Sequence, residues 1–155
     1  MNTEDPDRVV ESKDRPKSVD KLTEQELLAM PESDYMSAAQ LAFFRAKLEA
    51  LRAEVLAHAQ RAADELRGEI TLFADPADRA TVEEEHDLEQ RTREREQKLL
   101  KQLAQAIARI DSGDYGWCEE TGDPIGIARL LARPMANLTV EAQQRREVRE
   151  RMFGA

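Results

Sequence analysis

The feature that most constrains the fold of this chain is a pair of long helical arms, between Ser37 and Ile110, that one proline-containing turn divides. On the first arm, apolar residues recur at alternating steps of three and four, the a and d spacing of a coiled coil. They are Leu41, Phe44, Leu48, Leu51, Val55, Ala59, Ala62, Leu66, Ile70 and Phe73. The second arm carries matching apolar residues near its end, namely Leu99, Leu103, Ala106 and Ile110. The pattern predicts an antiparallel hairpin whose tip, residues 74–80, lies far from the rest of the chain.

Capping patterns predict where the first arm begins. Ser37 lies three residues before Gln40, which is the spacing of a capping box. Met36 and Leu41 stand at the two positions of a hydrophobic staple across the same helix start. We therefore expect a helix from Ser37 to about Ala74, roughly 55 Å long at 1.5 Å per residue.

Similar signals bound the other predicted helices. Thr23 precedes a short helix, in which Leu27, Leu28 and Met30 are expected to pack on the base of the hairpin. The second arm starts at Asp75-Pro76, and a last helix is predicted over residues 139–152. The result is a mainly α fold with three predicted parts: a mobile tail and short helix (1–35), the coiled-coil hairpin (36–112), and a small globular region with a C-terminal helix (113–155).

Composition and charge limit the classes of function that we expect of this chain. The net charge is -9, so general attraction to nucleic acid is not expected, and an acidic protein suits a basic or metal-rich surface of a partner. One cysteine, no apolar leader and no membrane-length apolar run lead us to expect a cytoplasmic protein with no membrane partner. We also expect a monomer. No nucleophile–base pair, phosphate-cradling loop or metal-binding histidine pair is recognisable, so an enzyme is not expected.

Two stretches carry side chains that bear on function. The acids around the tip either cap and solvate a helix start or form a probe for a basic or metal-containing cavity of a partner. Residues 118–122 outline a Cys-x-x-Cys in which threonine replaces the second cysteine, and one cysteine is too few for a structural zinc site. Cys118 is therefore expected to be a small buried apolar residue, in a segment packed by Trp117, Ile125 and Leu130. Arg129 and Arg133, beside this segment, are equally compatible with salt bridging and with anion binding.

Several stretches, taken together and in order, resemble the DksA/TraR family of bacterial transcription factors, which bind RNA polymerase and have no DNA site of their own. These are residues 35–41, 73–80, 83–85, 114–119 and 124–134. The resemblance implies that the coiled coil enters the secondary channel of the polymerase. The functional pair at the tip would be Asp78 and Ala80, with Asp75 beside them. The resemblance further implies destabilised promoter open complexes in the stringent response, together with guanosine tetraphosphate.

The chain departs from that family at two sets of positions. The four cysteines of the family's zinc finger correspond here to Cys118, Thr121, Thr139 and Ala142, which implies a degenerate, zinc-independent finger. The family's guanosine tetraphosphate site corresponds to Gln102, Arg133 and Gln143, so two positive charges are absent. Arg95 and Arg129 are the nearby residues that could compensate.

Two alternatives stay open. A transcript-cleavage factor would use the same channel and present acids to a catalytic metal. A structural coiled-coil adaptor would keep the tip inert.

Overall fold

The computed structural model describes residues 22–70 and 76–154. They form a short helix α1 (Glu24–Ala29), two long helices α2 (Ala38–Ile70) and α3 (Pro76–Ser112), a short helix α4 (Ile127–Ala132) and a last helix α5 (Val140–Phe153). The predicted mainly α fold with a long hairpin is therefore confirmed. The predicted mobile tail and the last residues predicted for the first arm lie outside the described residues. None of these helices offers an apolar stretch that would suit a lipid bilayer, as far as the described part of the chain goes.

Helices α2 and α3 run antiparallel and pack against each other. Near the base of the hairpin the Arg45 guanidinium contacts the Asp111 carboxylate, and halfway along, the His58 ring contacts Glu96. With 33 and 37 residues, the two helices are about 50 and 55 Å long at 1.5 Å per residue. The second helix begins at Pro76, as the sequence predicts, because proline lacks the N–H that a first helical residue leaves unpaired.

The apolar core of the hairpin ends well before its tip. Among the side chains that the structure describes, the last buried one on α2 is Leu48, and the buried run on α3 begins at Leu103. Further out, Glu89 and Glu96 occupy half-buried positions of α3, and one carboxylate oxygen of Glu89 is buried without a protein partner. Burying such an oxygen costs free energy. The half of the hairpin near the tip is therefore held together less strongly than the base.

The main core lies where the base of the hairpin meets the small globular region. Phe44 of α2 packs against the ring of Tyr115, with centroids 5.6 Å apart, and both side chains are buried. Helix α1 packs on α4, and Lys47 joins them by donating to Glu24 and to the carbonyl of Leu131. The other buried apolar residues are Leu27, Leu48, Leu103, Ala106, Ile110, Cys118, Ile125, Leu130, Leu138 and Ala142.

Two predicted core contacts are wrong. Leu28 is 55% exposed, because it lies on the outer side of α1 while Leu27 is buried and Met30 half-buried. Trp117 is 36% exposed, and Tyr115 takes the central position of the glycine-rich segment (residues 113–126) instead. The Tyr115 hydroxyl donates to the carbonyl of Pro134 at 2.7 Å, so this phenol is buried without an unpaired polar group.

The predicted caps form, with one variation. The hydroxyls of Thr23 and Thr139 accept hydrogen bonds from backbone N–H groups at the starts of α1 and α5. At the start of α2, the buried Gln40 side chain accepts from the N–H of Met36, one residue earlier than in a standard capping box. Met36 has a positive φ of 55°, which places its N–H within reach of Gln40.

Tyr35 closes the glycine-rich segment against the hairpin. Its hydroxyl donates to the carbonyl of Gly116 at 2.6 Å and accepts from the N–H of Gly126 at 2.9 Å. Its ring meets Trp117 edge-on, with centroids 5.3 Å apart. Gly116 has φ of 88°, and a Cβ there would lie 2.4 Å from the Met36 sulfur, so only glycine suits this close approach.

Replacing Tyr35 with phenylalanine removes both hydrogen bonds. It leaves the part-buried N–H of Gly126 unpaired, and the Gly116 carbonyl keeps only its bond from the N–H of Ile125. We expect the variant to lose about 1–3 kcal/mol of unfolding free energy in urea titrations. Thr92→Val is the matched control, because it removes an exposed hydroxyl whose bond to the Leu88 carbonyl water can replace. An equal, small loss in both variants would contradict the role given to Tyr35.

Candidate tip and anion-binding cleft

The predicted tip residues lie at the far end of the hairpin from the core. Asp78 and Ala80 fall in the first turns of α3, immediately after Pro76. The helix dipole places partial positive charge at such a start, which stabilises a carboxylate there. Asp75 lies outside the described residues. The acids that follow on α3, among them Glu83, Glu84, Glu85 and Asp87, are exposed to solvent.

A cleft of about 840 Å³ lies at the other end of the hairpin, between α3, α4 and α5. It brings together four of the five residues predicted for an anion site, Gln102, Arg129, Arg133 and Gln143. Arg95 does not line it, because this residue is two helical turns, roughly 10 Å, nearer the tip than Gln102.

Two further arginines line the cleft that the sequence reasoning missed. Arg109 lies two turns after Gln102 on α3, and Arg146 lies one turn after Gln143 on α5. Helical periodicity places them on the same helix faces as Gln102 and Gln143, because residues three, four or seven apart share a face of a helix. With Glu119 the lining holds four guanidinium groups and one carboxylate, so it is strongly basic in a chain of net charge -9.

The four guanidinium groups differ in their partners. Arg109 pairs with Glu119 at 3.4 Å, and Arg146 pairs with Glu120 at 3.2 Å. The Nε of Arg129 donates to the carbonyl of Leu138 at 3.0 Å, which orients its side chain. Among the described residues, neither Arg129 nor Arg133 has an acidic partner within ion-pair distance, so the salt-bridging alternative finds no support here. The cleft thus offers at least two uncompensated cations to an anion.

The four positions of the degenerate finger converge on one place. Cys118 and Ala142 are buried, and the Thr139 hydroxyl donates to the Cys118 sulfur at 3.8 Å while it caps α5. A structural zinc ion needs four thiolate or imidazole ligands, and this set supplies one thiol, two hydroxyls and a methyl group. Within residues 22–70 and 76–154, no three His, Cys, Asp or Glu side chains come together at a spacing that suits a metal. The residues therefore do not fit zinc.

The surroundings of the Cys118 sulfur still favour the thiolate. Burial alone would raise the pKa of the thiol, but hydrogen bonds from the Thr121 hydroxyl and from the backbone N–H groups of Thr139, Thr121 and Glu120 outweigh it. The pKa is lowered to about 6 from an ordinary value of 9.0. Backbone N–H groups thus stabilise negative charge on the one sulfur present.

Comparisons with known sequences agree on one family. Residues 40–110 match the N-terminal domain of the DnaK suppressor protein DksA, and residues 113–148 match the prokaryotic dksA/traR C4-type zinc finger. A Caulobacter vibrioides protein named RNA polymerase-binding transcription factor DksA is 48% identical over 118 residues, which are 76% of this chain and 83% of that protein. The Escherichia coli protein of the same name is 42% identical over 123 residues, covering 79% of this chain and 82% of that one.

A solved structure agrees with the sequence matches. Transcription factor DksA2 from Pseudomonas aeruginosa superposes with a TM-score of 0.76 at 48% sequence identity. The match covers 83% of this chain and 99% of that one, so it includes the hairpin and the globular region together.

The misfit to zinc predicts that the finger is held by packing alone. The purified protein should contain no stoichiometric zinc in metal analysis, and its thermal transition should be the same with and without a strong chelator. A transition that falls in the chelator would contradict this account of the finger.

The lowered pKa of Cys118 predicts a pH-dependent contribution to stability. Between about pH 6 and 9 the unfolded thiol binds more protons than the folded one, so this contribution grows with pH, is complete above the unfolded pKa, and is lost as pH falls through the folded pKa. We expect the difference in unfolding free energy between wild type and Cys118→Ser to rise by up to about 1.4 kcal/mol per pH unit in that window. A difference that stays constant with pH would contradict it.

Proposed function

The chain belongs to the DksA family of RNA polymerase-binding transcription factors, and we propose that it regulates transcription by placing the tip of its hairpin in the secondary channel of RNA polymerase. There it destabilises promoter open complexes during the stringent response. The protein works in the cytoplasm as a monomer, reads no DNA sequence of its own and performs no chemistry of its own.

The observation that carries this proposal is the geometry of the hairpin. An arm about 55 Å long places Asp78 at its far end, while the buried apolar residues among the described side chains lie at the other end. An arm of this kind suits a deep, narrow pore better than a flat surface, because it is long and only two helices wide. The globular region then remains outside the pore as a stop.

The tip acts by electrostatics and position. Asp78, in the first turn of α3, belongs to a helix whose dipole favours its charged form. A carboxylate near the catalytic centre of the polymerase changes the electrostatic interactions that stabilise the open complex. Ala80, two residues further along, adds only a methyl group to this end of the helix.

The cleft at the base suits a second ligand, guanosine tetraphosphate. Arg129 and Arg133 supply guanidinium groups that can each bind two phosphate oxygens, and neither pairs with an acid in the part of the chain that the structure describes. Gln102 and Gln143 contribute uncharged amides. This protein therefore supplies fewer cations to the nucleotide than the family's site does, and the polymerase supplies the other contacts.

Asp78→Asn tests whether the tip is needed for inhibition of transcription but not for binding to the polymerase. The variant should bind polymerase with nearly unchanged affinity, since the contacts that dock the hairpin lie along its length, yet should no longer inhibit transcription from a ribosomal promoter with a short-lived open complex. Binding is measured by competition with a labelled wild-type protein, and inhibition by transcript yield.

Asp87→Asn is the matched control, because it removes the same charge from an exposed position further along the same helix. It should inhibit as wild type does. Loss of polymerase binding by Asp78→Asn, or equal loss of inhibition in both variants, would contradict the proposal. Release of short RNA ends from stalled polymerase would instead identify a transcript-cleavage factor.

A further inference from the structure

The two ion-paired arginines of the cleft are held with very different strength. Arg109 has a side chain that is only 16% exposed, and it donates to the carbonyls of Asp114 and Trp117 as well as pairing with Glu119. Those two carbonyls lie in the glycine-rich segment, so Arg109 holds that segment to α3. A ligand could take Arg109 only by breaking these two hydrogen bonds, which would leave the Trp117 carbonyl without its donor.

Arg146 is held by one contact. Its side chain is 43% exposed, and within the described residues its guanidinium forms an ion pair with the Glu120 carboxylate at 3.2 Å. Ion pairs this exposed contribute at most about 1 kcal/mol, because water competes for both charges. A polyphosphate carries several charges and binds guanidinium bidentately, so it is a stronger partner for Arg146 than a single carboxylate.

Gln143, the neighbour of Arg146 on the cleft side of α5, is a poorer candidate for binding an anion. Gln143 is uncharged, and its amide donates to Glu147 at 3.1 Å, one turn further along the helix. Arg146 stands three residues after Gln143, on the same side of α5, and lines the same cleft. The positive charge available to a ligand from this helix therefore lies one turn beyond Gln143.

We propose that Arg146 is the third ligand-contacting cation of the cleft, beside Arg129 and Arg133, and that Glu120 is the counter-ion it leaves when a nucleotide polyphosphate binds. Glu120 belongs to the segment that replaces the metal-binding turn, so the acid that holds Arg146 is supplied by the degenerate finger. This inference rests on the proposed role of the cleft as a nucleotide site and adds a residue and a counter-ion to it.

The test uses the full chain in complex with RNA polymerase and labelled guanosine tetraphosphate, with polymerase alone subtracted as the blank. Arg146→Gln should weaken the nucleotide binding that the protein adds by about tenfold, the effect of one charge-assisted contact. Arg145→Gln is the matched control, since this arginine precedes it on α5, is exposed and does not line the cleft; its affinity should stay within about twofold of wild type. Glu120→Gln should raise the affinity about twofold to fivefold, because it removes the competing carboxylate.

Unchanged affinity in Arg146→Gln, or an equal loss in Arg145→Gln, would overturn the inference, the latter because it would indicate only a general effect of net charge. All three variants should keep the wild-type thermal transition and inhibit transcription normally without nucleotide, which separates a binding defect from misfolding. If wild type adds no nucleotide binding at all, the cleft is not a nucleotide site and the inference fails with that assignment. If wild type adds nucleotide binding and Arg146→Gln adds the same, the role of Arg146 is wrong but the cleft remains a nucleotide site.

Discussion

The packing of Phe44 against Tyr115, at the base of the hairpin, is the contact on which the rest of the structure depends. A helix pair with so few apolar residues near its tip cannot hold itself together along its whole length, since helix stability in proteins comes mainly from packing of an apolar face. At the base, α2, α3 and the glycine-rich segment bury apolar side chains together, and Tyr115 joins them to the chain after α4 through Pro134. From this point both arms leave in a defined direction, so the base determines where the tip lies.

The residues at the finger positions of this base do not suit the zinc ion that a C4-type finger would bind. Hydrogen bonds and packing occupy the place of metal bonds: Tyr35 bridges Gly116 and Gly126, and the Thr139 hydroxyl both caps α5 and meets the Cys118 sulfur. The backbone N–H groups around that sulfur keep its pKa low, as they would for a metal-bound thiolate.

Local signals predicted the long helices well, because each helix start is decided by residues within one turn, as at Ser37, Pro76 and Thr139. Contacts between distant residues were harder to predict. The Tyr35 hydroxyl reaches Gly116 and Gly126 across more than eighty residues of sequence, and nothing in the residues around it indicates this. Tyr115 and Trp117 are both aromatic and only two residues apart, so the choice of which is buried depends on the direction of a turn. In the cleft, Arg109 and Arg146 are on the predicted helix faces, but assigning them requires knowing that α3 and α5 line the same cleft.

The central claim is that the tip of the hairpin enters the secondary channel of RNA polymerase, and site-specific crosslinking tests it most directly. A photoreactive amino acid placed at position 80 in the full chain, bound to polymerase and irradiated, should crosslink to peptides that line the secondary channel, and the same group at position 150 of the exposed outer part of α5 should not. Crosslinks from position 80 that map to the outer surface of the polymerase, or crosslinks from both positions to the same peptides, would contradict the claim.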